Sequence, residues 1–164
     1  MENYIVINGK KTELTPEQLE KLGIVAEKNP FERNIGDNYF YMGGNGNCYV
    51  MADTDDYTFD VKRYNVANYC HDKSLLEQRA LHETLSRLLW RYSMIHGGDK
   101  IDWGSHTEFK YCIQYDHTDD RFMTTNTSYI HREGVIYFNS LDVAESAIKE
   151  IIEPFMKGNP DFVW

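Results

Sequence analysis

Cys70 next to His71, and Ser105 next to His106, are the pairings of this chain that a nucleophile-and-base mechanism would draw on. Such a mechanism needs the base within hydrogen-bond reach of the thiol or hydroxyl. Side chains adjacent in sequence usually point apart, and no Gly-x-Ser-x-Gly nucleophile elbow is present. No catalytic residue is assigned on this basis, and the chain reads as a non-enzyme. Metal chemistry fares no better. Cys70-His71 has no second pair at zinc-ligand spacing, and His82 and His96 stand fourteen apart on one helical stretch. The turns Asp53-Thr54-Asp55-Asp56 and Asp116-His117-Thr118-Asp119-Asp120 are rich in oxygen ligands, but they lack the glycine and distal glutamate of a calcium loop. They read as solvated hairpin turns. Gly43-Gly44-Asn45-Gly46 lacks the Lys-Ser/Thr and the following helix of a phosphate-binding loop and reads as a plain turn. The expectation is no metal and no cofactor.

Binding chemistry is better represented. Twelve Tyr, eight Phe and three Trp occur in 164 residues, and 26 acidic against 17 basic residues leave a net charge of −9. That charge repels nucleic-acid backbones, so direct nucleic-acid binding is not expected, whereas a basic protein surface would be attracted. The acidity also serves solubility. Asp55, Asp56, Asp119 and Asp120 are the residues expected to steer such a partner; Trp90, Met94 and Trp103 are expected to anchor it. Trp103 follows the helix-ending run His96-Gly97-Gly98 within a polar loop, where it either plugs the core or forms a hot spot. A nucleotide ligand would need convergent cations, and Lys62, Arg63, Arg87, Arg91 and Arg132 are the candidates.

These residues must be held by elements the pattern already suggests. Tyr4–Ile7 and Lys10–Glu13 flank Asn8-Gly9, a hairpin signal. Thr15, Pro16 and Gln18 open a short helix with a capping box, and Gly23 stops it. This segment, 1–34, reads as an N-terminal element semi-detached from a main domain over 35–164. Asn38–Met42, Cys48–Ala52 and Tyr57–Tyr64 read as strands, and so do Phe109–Tyr115, Arg121–Tyr129 and Val135–Phe138. Between these groups runs a long helix, capped by Asp72 or Ser74 and ended by Gly97-Gly98, with Leu81, Leu85, Leu88, Leu89, Tyr92 and Ile95 forming one stripe. At about 100° per residue, Leu76, Trp90 and Met94 fall on nearly the opposite side. That second face is either sandwiched within the fold or offered to a partner. Ser140 caps a last helix buried through Leu141, Ala144, Ile148, Ile151 and Ile152, which Pro154 bends or ends. The tail Phe162-Val163-Trp164 is apolar enough to dock on the body. The expected fold is therefore α+β, with an antiparallel, strongly twisted sheet of about six strands and one long and one shorter amphipathic helix packed on it.

The runs Arg87-Leu88-Leu89-Trp90-Arg91-Tyr92-Ser93, His96-Gly97-Gly98, Ile101-Asp102-Trp103, Gly134-Val135-Ile136-Tyr137-Phe138-Asn139-Ser140 and Phe162-Val163-Trp164 carry a resemblance. Over roughly 35–164 the chain resembles a family of small accessory proteins from phages, prophages and mobile elements of gut Firmicutes. The shared runs contain no catalytic motif, so the resemblance transfers no active-site residue. It implies a protein that binds and inhibits a host defence component, as anti-CRISPR and other anti-defence proteins do. The readings kept beside it are a nucleotide sponge for an immune messenger and a metal-dependent nuclease or hydrolase. Three unpaired cysteines, Cys48, Cys70 and Cys112, together with Met1-Glu2-Asn3-Tyr4 at the start, point to the cytoplasm, and the resemblance implies that of a bacterial host. No membrane association is expected, and a homodimer is compatible with the sequence.

Overall fold

The computed structural model describes residues 4–7, 9–23 and 29–164. It is α+β with antiparallel strands, but the six expected strands do not form one sheet. Among the described residues there are three separate two-stranded sheets. The first pairs β1 (Tyr4–Ile7) with β2 (Lys10–Glu13), in the register that joins Ile7 to Lys10. Gly9 has φ of 78°, as its position in so tight a turn requires, while Asn8 lies outside the described residues. Helix α1 (Pro16–Lys21) opens with the expected capping box: Gln18 N–H donates to Thr15 Oγ1 at 3.3 Å, and Thr15 N–H donates to Gln18 Oε1 at 2.9 Å. The loop expected from Ile24 to Asp37 lies in part, at 24–28, outside the described residues. Beyond it, His71 N–H donates to Pro30 O at 2.7 Å and Arg33 pairs with Asp53 at 2.8 Å, so 30–33 are bonded to the main body.

β3 (Asn38–Met42) and β4 (Cys48–Ala52) form the second hairpin, with Tyr39 opposite Met51 and Tyr41 opposite Tyr49. The strand expected over Tyr57–Tyr64 does not exist. In its place Tyr57–Val61 makes a wide π-helical turn that runs into α2 (Lys62–Asn65). Local hydrogen bonding explains the difference. Asp56 accepts from Thr58 N–H at 2.6 Å, and Asp60 turns inward to accept from the backbone N–H groups of Thr54 (2.9 Å) and Asp56 (3.1 Å). Carboxylates that bond nearby amides in this way compete with a ladder and favour a capped turn.

Helix α3 (Lys73–Ile95) is 23 residues long, and its cap is Asp72, whose side chain accepts from the N–H groups of Ser74 and Leu75. Its first turns pack under β3 and β4, burying Leu76 and Ala80, and its later turns bury Leu85, Leu89 and Tyr92. The expected stripe is corrected at its end: Ile95 is exposed, because the helix runs past the core there. The third hairpin joins β5 (Lys110–Asp116) to β6 (Arg121–Thr127). Val135–Phe138 adds no third strand to it. Phe138 makes a single two-bond bridge with Tyr111, and the Tyr137 hydroxyl ties back to Arg132 N–H and Ile130 O, curling the chain away from the ladder. A second isolated bridge links Phe40 to Cys70.

Ser140 accepts from Val143 N–H to cap α4 (Leu141–Ala147), which continues through a π-helical turn at Ile148–Ile152 into α5 (Glu153–Gly158). Pro154 neither ends the helix nor breaks it. It has no N–H to donate and crowds the preceding turn, and the wider turn lies immediately before it. Of the expected stripe, Ala144 and Ile152 are fully buried whereas Leu141 is exposed. The main core joins Leu85, Leu89 and Tyr92 of α3 to Phe138, Ala144, Ile152 and Phe162. The tail does dock: Gln78 donates to Asp161 O at 2.6 Å and accepts from Val163 N–H at 3.1 Å, clamping Phe162 against the core.

Candidate interaction site

Trp90 and Met94 stand one turn apart near the end of α3, and the chain must reverse sharply after them to return Trp103 to the same place. Two glycines permit the reversal. Gly97 has φ of 87°, and a Cβ at Gly98 would lie 2.9 Å from Ser93 O. The chain then makes one 3₁₀ turn, Gly98–Lys100, and enters the loop that carries Trp103. Three contacts hold this tryptophan. Its ring stacks on His131 at 4.2 Å and 29°, meets the edge of Tyr137 at 4.9 Å, and lies 5.8 Å from the Lys110 ammonium. Lys110 is itself buried, donating to the carbonyl oxygens of Ser105 (2.7 Å), Glu108 (2.9 Å) and Ser128 (3.0 Å). A desolvated ammonium is tolerable there because three oxygens replace its water. Ser93 fastens the other wall by donating to Tyr137 O at 2.5 Å.

The result is a cleft of about 180 Å³ lined by Trp90, Met94, Trp103, His131, Ile136 and Tyr137 among others. The three expected anchors therefore surround one depression although Trp103 lies in a loop and the other two on a helix. Trp90 is 57% exposed and Trp103 38% exposed. Leu76, which shares their side of the helical wheel, is 2% exposed. One face of a long helix is thus covered at one end by β3 and β4 and open at the other.

The expected steering aspartates do not line this cleft, and all four are bonded within the chain. Asp55 pairs with Arg33 at 2.7 Å, Asp56 caps the π-helical turn, Asp119 pairs with Arg121 at 2.8 Å, and Asp120 accepts the Tyr115 hydroxyl. Asp55 and Asp120 also have positive φ, 62° and 51°, as turn residues that tolerate the left-handed region.

The reading of Asp53 as part of a solvated turn is corrected. Asp53 and Asp60 are both buried, and they anchor a polar cluster that the sequence reading missed. Arg33 grips Asp53 through two nitrogens at 2.8 Å each, and the Tyr69 hydroxyl donates to the same carboxylate at 3.1 Å. Asp60 accepts the Tyr39 hydroxyl at 2.7 Å, and Arg63 donates to that hydroxyl oxygen at 2.9 Å. Tyr39 and Tyr69 stack at 4.1 Å. Burial pushes both carboxyls up, but these donors outweigh it and hold both below the usual aspartate range. Burial likewise raises Tyr69, to about 12. Both carboxylates are saturated by donors of the chain itself, which makes the cluster a brace rather than an acid–base site. A signal existed in the sequence: Asp60 stands between Phe59 and Val61 in an aromatic-rich run, where a solvated aspartate is out of place.

The nucleophile pairings do not assemble. Cys70 is fully buried, burial pushes its thiol up, and both ring nitrogens of His71 face backbone oxygens, Asn38 O at 2.8 Å and Glu32 O at 2.9 Å. Ser105 Oγ accepts from Glu108 N–H at 3.2 Å in a local turn. His82 packs on Phe162 and His96 stacks on Tyr92, so the two histidines serve different contacts. Among the described residues no three His, Cys, Asp or Glu side chains gather to hold a metal, and no helix is long and apolar enough to cross a membrane. Compared with known protein families, with curated proteins and with solved structures, the chain matches none.

Proposed function

We propose that this protein is a non-catalytic accessory protein of a phage or mobile element that binds and inhibits a host defence component, acting in the bacterial cytoplasm. The observation that carries the reading is the cleft between α3 and the following loop, where the exposed Trp90 and Trp103 and the half-buried Met94 surround one depression. Large rings that are rigidly held yet exposed are the usual anchors of a protein interface, because burying them on a partner removes much apolar area at little cost in side-chain freedom. The net charge of −9 favours a basic target surface and long-range attraction to it. The resemblance to phage and mobile-element proteins supplies the biological setting.

The test is plating efficiency of phage on bacteria carrying individual defence systems, with and without the protein. Restored plating against one system, lost in Trp90→Ala and Trp103→Ala variants that still fold, is the expected result. Absence of rescue over a broad panel of systems refutes the inhibitor reading.

A further inference from the structure

Trp90 is also a wall of a second groove, on its other side, of about 430 Å³ and lined by Gly44, Asn45, Thr84, Arg87, Leu88 and Arg91 besides Trp90. This size lies within the range of small-molecule sites, about 300–1,000 Å³. In a chain with 26 acidic residues, the lining of this groove includes two arginines and no carboxylate. The nearest acid along the helix, Glu83, is turned to Arg79, with which it pairs at 3.0 Å. Arg87 donates through Nε to Glu83 O at 3.2 Å, and its two terminal nitrogens have no partner among the described residues. Arg91 has no hydrogen bond or ion pair among them.

Arg87 and Arg91 are four apart on α3, a spacing at which like charges repel. An anion between them would relieve that repulsion and receive two planar forks of donors. Between the arginines in sequence stands Trp90, 57% exposed, whose ring offers a face for stacking. The Gly43–Asn47 turn forms the facing wall, and a Cβ at Gly44 would meet nothing within 4 Å, so that wall is open for close approach.

We propose that this groove binds a nucleotide, with its phosphates on Arg87 and Arg91 and its base stacked on Trp90. The site is distinct from the Trp103 cleft and shares only Trp90 with it. Its probes are ADP, adenosine and inorganic pyrophosphate, added to the full chain while Tm and tryptophan fluorescence are followed. ADP should raise Tm by roughly 5 °C at a concentration about 100 times its Kd. It should also quench fluorescence, and both adenosine and pyrophosphate should bind at least about tenfold more weakly.

Arg87→Glu with Arg91→Glu should abolish the ADP response. Trp90→Ala should weaken ADP by roughly 10- to 100-fold, and Trp90→Phe should keep the affinity while losing most of the quench. No response to millimolar ADP overturns the proposal, as does an unchanged response in the double arginine variant, or pyrophosphate binding as tightly as ADP. Circular dichroism of each variant separates lost binding from lost fold. Because the arginine variant leaves Met94 and Trp103 in place, its plating result reports on the inhibitor reading separately.

Discussion

Asp53 and Asp60 show how single residues acquire roles that their neighbours in sequence do not announce. Each is buried with a full set of donors, and removing either carboxylate would strand those donors without an acceptor. Asp53→Ala should destabilise the fold by about 3 kcal/mol, since it leaves the largely covered Arg33 without its main partner; urea denaturation measures this. The same groups set the pH limits of the fold. Both carboxyls titrate below the unfolded value of about 3.9, so the unfolded chain binds more protons in that window. Their stabilisation is therefore complete above about pH 3.9 and is lost as pH falls through the folded values. Tyr69 has the opposite sign. Raised to about 12 in the folded chain, it contributes fully below its unfolded value of about 10, and that contribution is lost as pH rises from there to about 12. Tm recorded against pH should fall on both limbs, and Tyr69→Phe should flatten the alkaline one. A residue-scale test of the cleft is the loss of target affinity in Trp103→Ala. Truncation at a hot spot costs about 2 kcal/mol or more, or roughly 30-fold in Kd.

Elements marked by periodicity and capping patterns were legible, and those set by one side chain's choice of partner were not. The caps at Asp72 and Ser140 and the Thr15–Gln18 box follow from side chains bonding backbone within three residues, so their types and spacing reveal them. The run Tyr57–Tyr64 has strand-like aromatics, yet Asp56 and Asp60 convert it to a helical turn by satisfying nearby amides. Val135–Phe138 failed as a strand for a different reason: the Tyr137 hydroxyl closes a loop onto Arg132 and Ile130. Two substitutions separate an element that forms the cleft from one that does not. Gly98→Ala should cost about 1–3 kcal/mol and displace the Trp103 loop, because its Cβ would crowd Ser93 O at 2.9 Å. A thermal melt gives the first effect, and loss of the Trp103 environment in near-UV circular dichroism the second. Ser140→Ala should cost only about 1 kcal/mol, the loss of one cap, and leave target binding intact.

At the scale of the whole molecule, charge and aromatic surface are separate features. The net charge of −9 belongs to the chain as a whole, whereas the exposed Trp90 stands near the end of α3 with Arg87 and Arg91 beside it. None of the four aspartates expected to steer a partner lines the cleft, so any steering they provide acts on association. Changing Asp119, whose partner Arg121 is itself exposed, to Lys should lower the association rate for a basic target and weaken its salt dependence, with the dissociation rate nearly unchanged. Rates measured at two ionic strengths check this, and an unaltered association rate refutes steering.

The sequence by itself determined the α+β class, the long capped helix and the apolar character of the tail, because periodicity, capping and composition are local properties. Tertiary structure alone decided that the strands pair as three hairpins rather than one sheet. It also decided which end of α3 is covered, that Asp53 and Asp60 are buried, and that Trp103 returns beside Trp90 and Met94. Each of these depends on contacts between segments far apart in the chain, and a helical wheel cannot show that the face burying Leu76 under β3 and β4 emerges into solvent at Trp90.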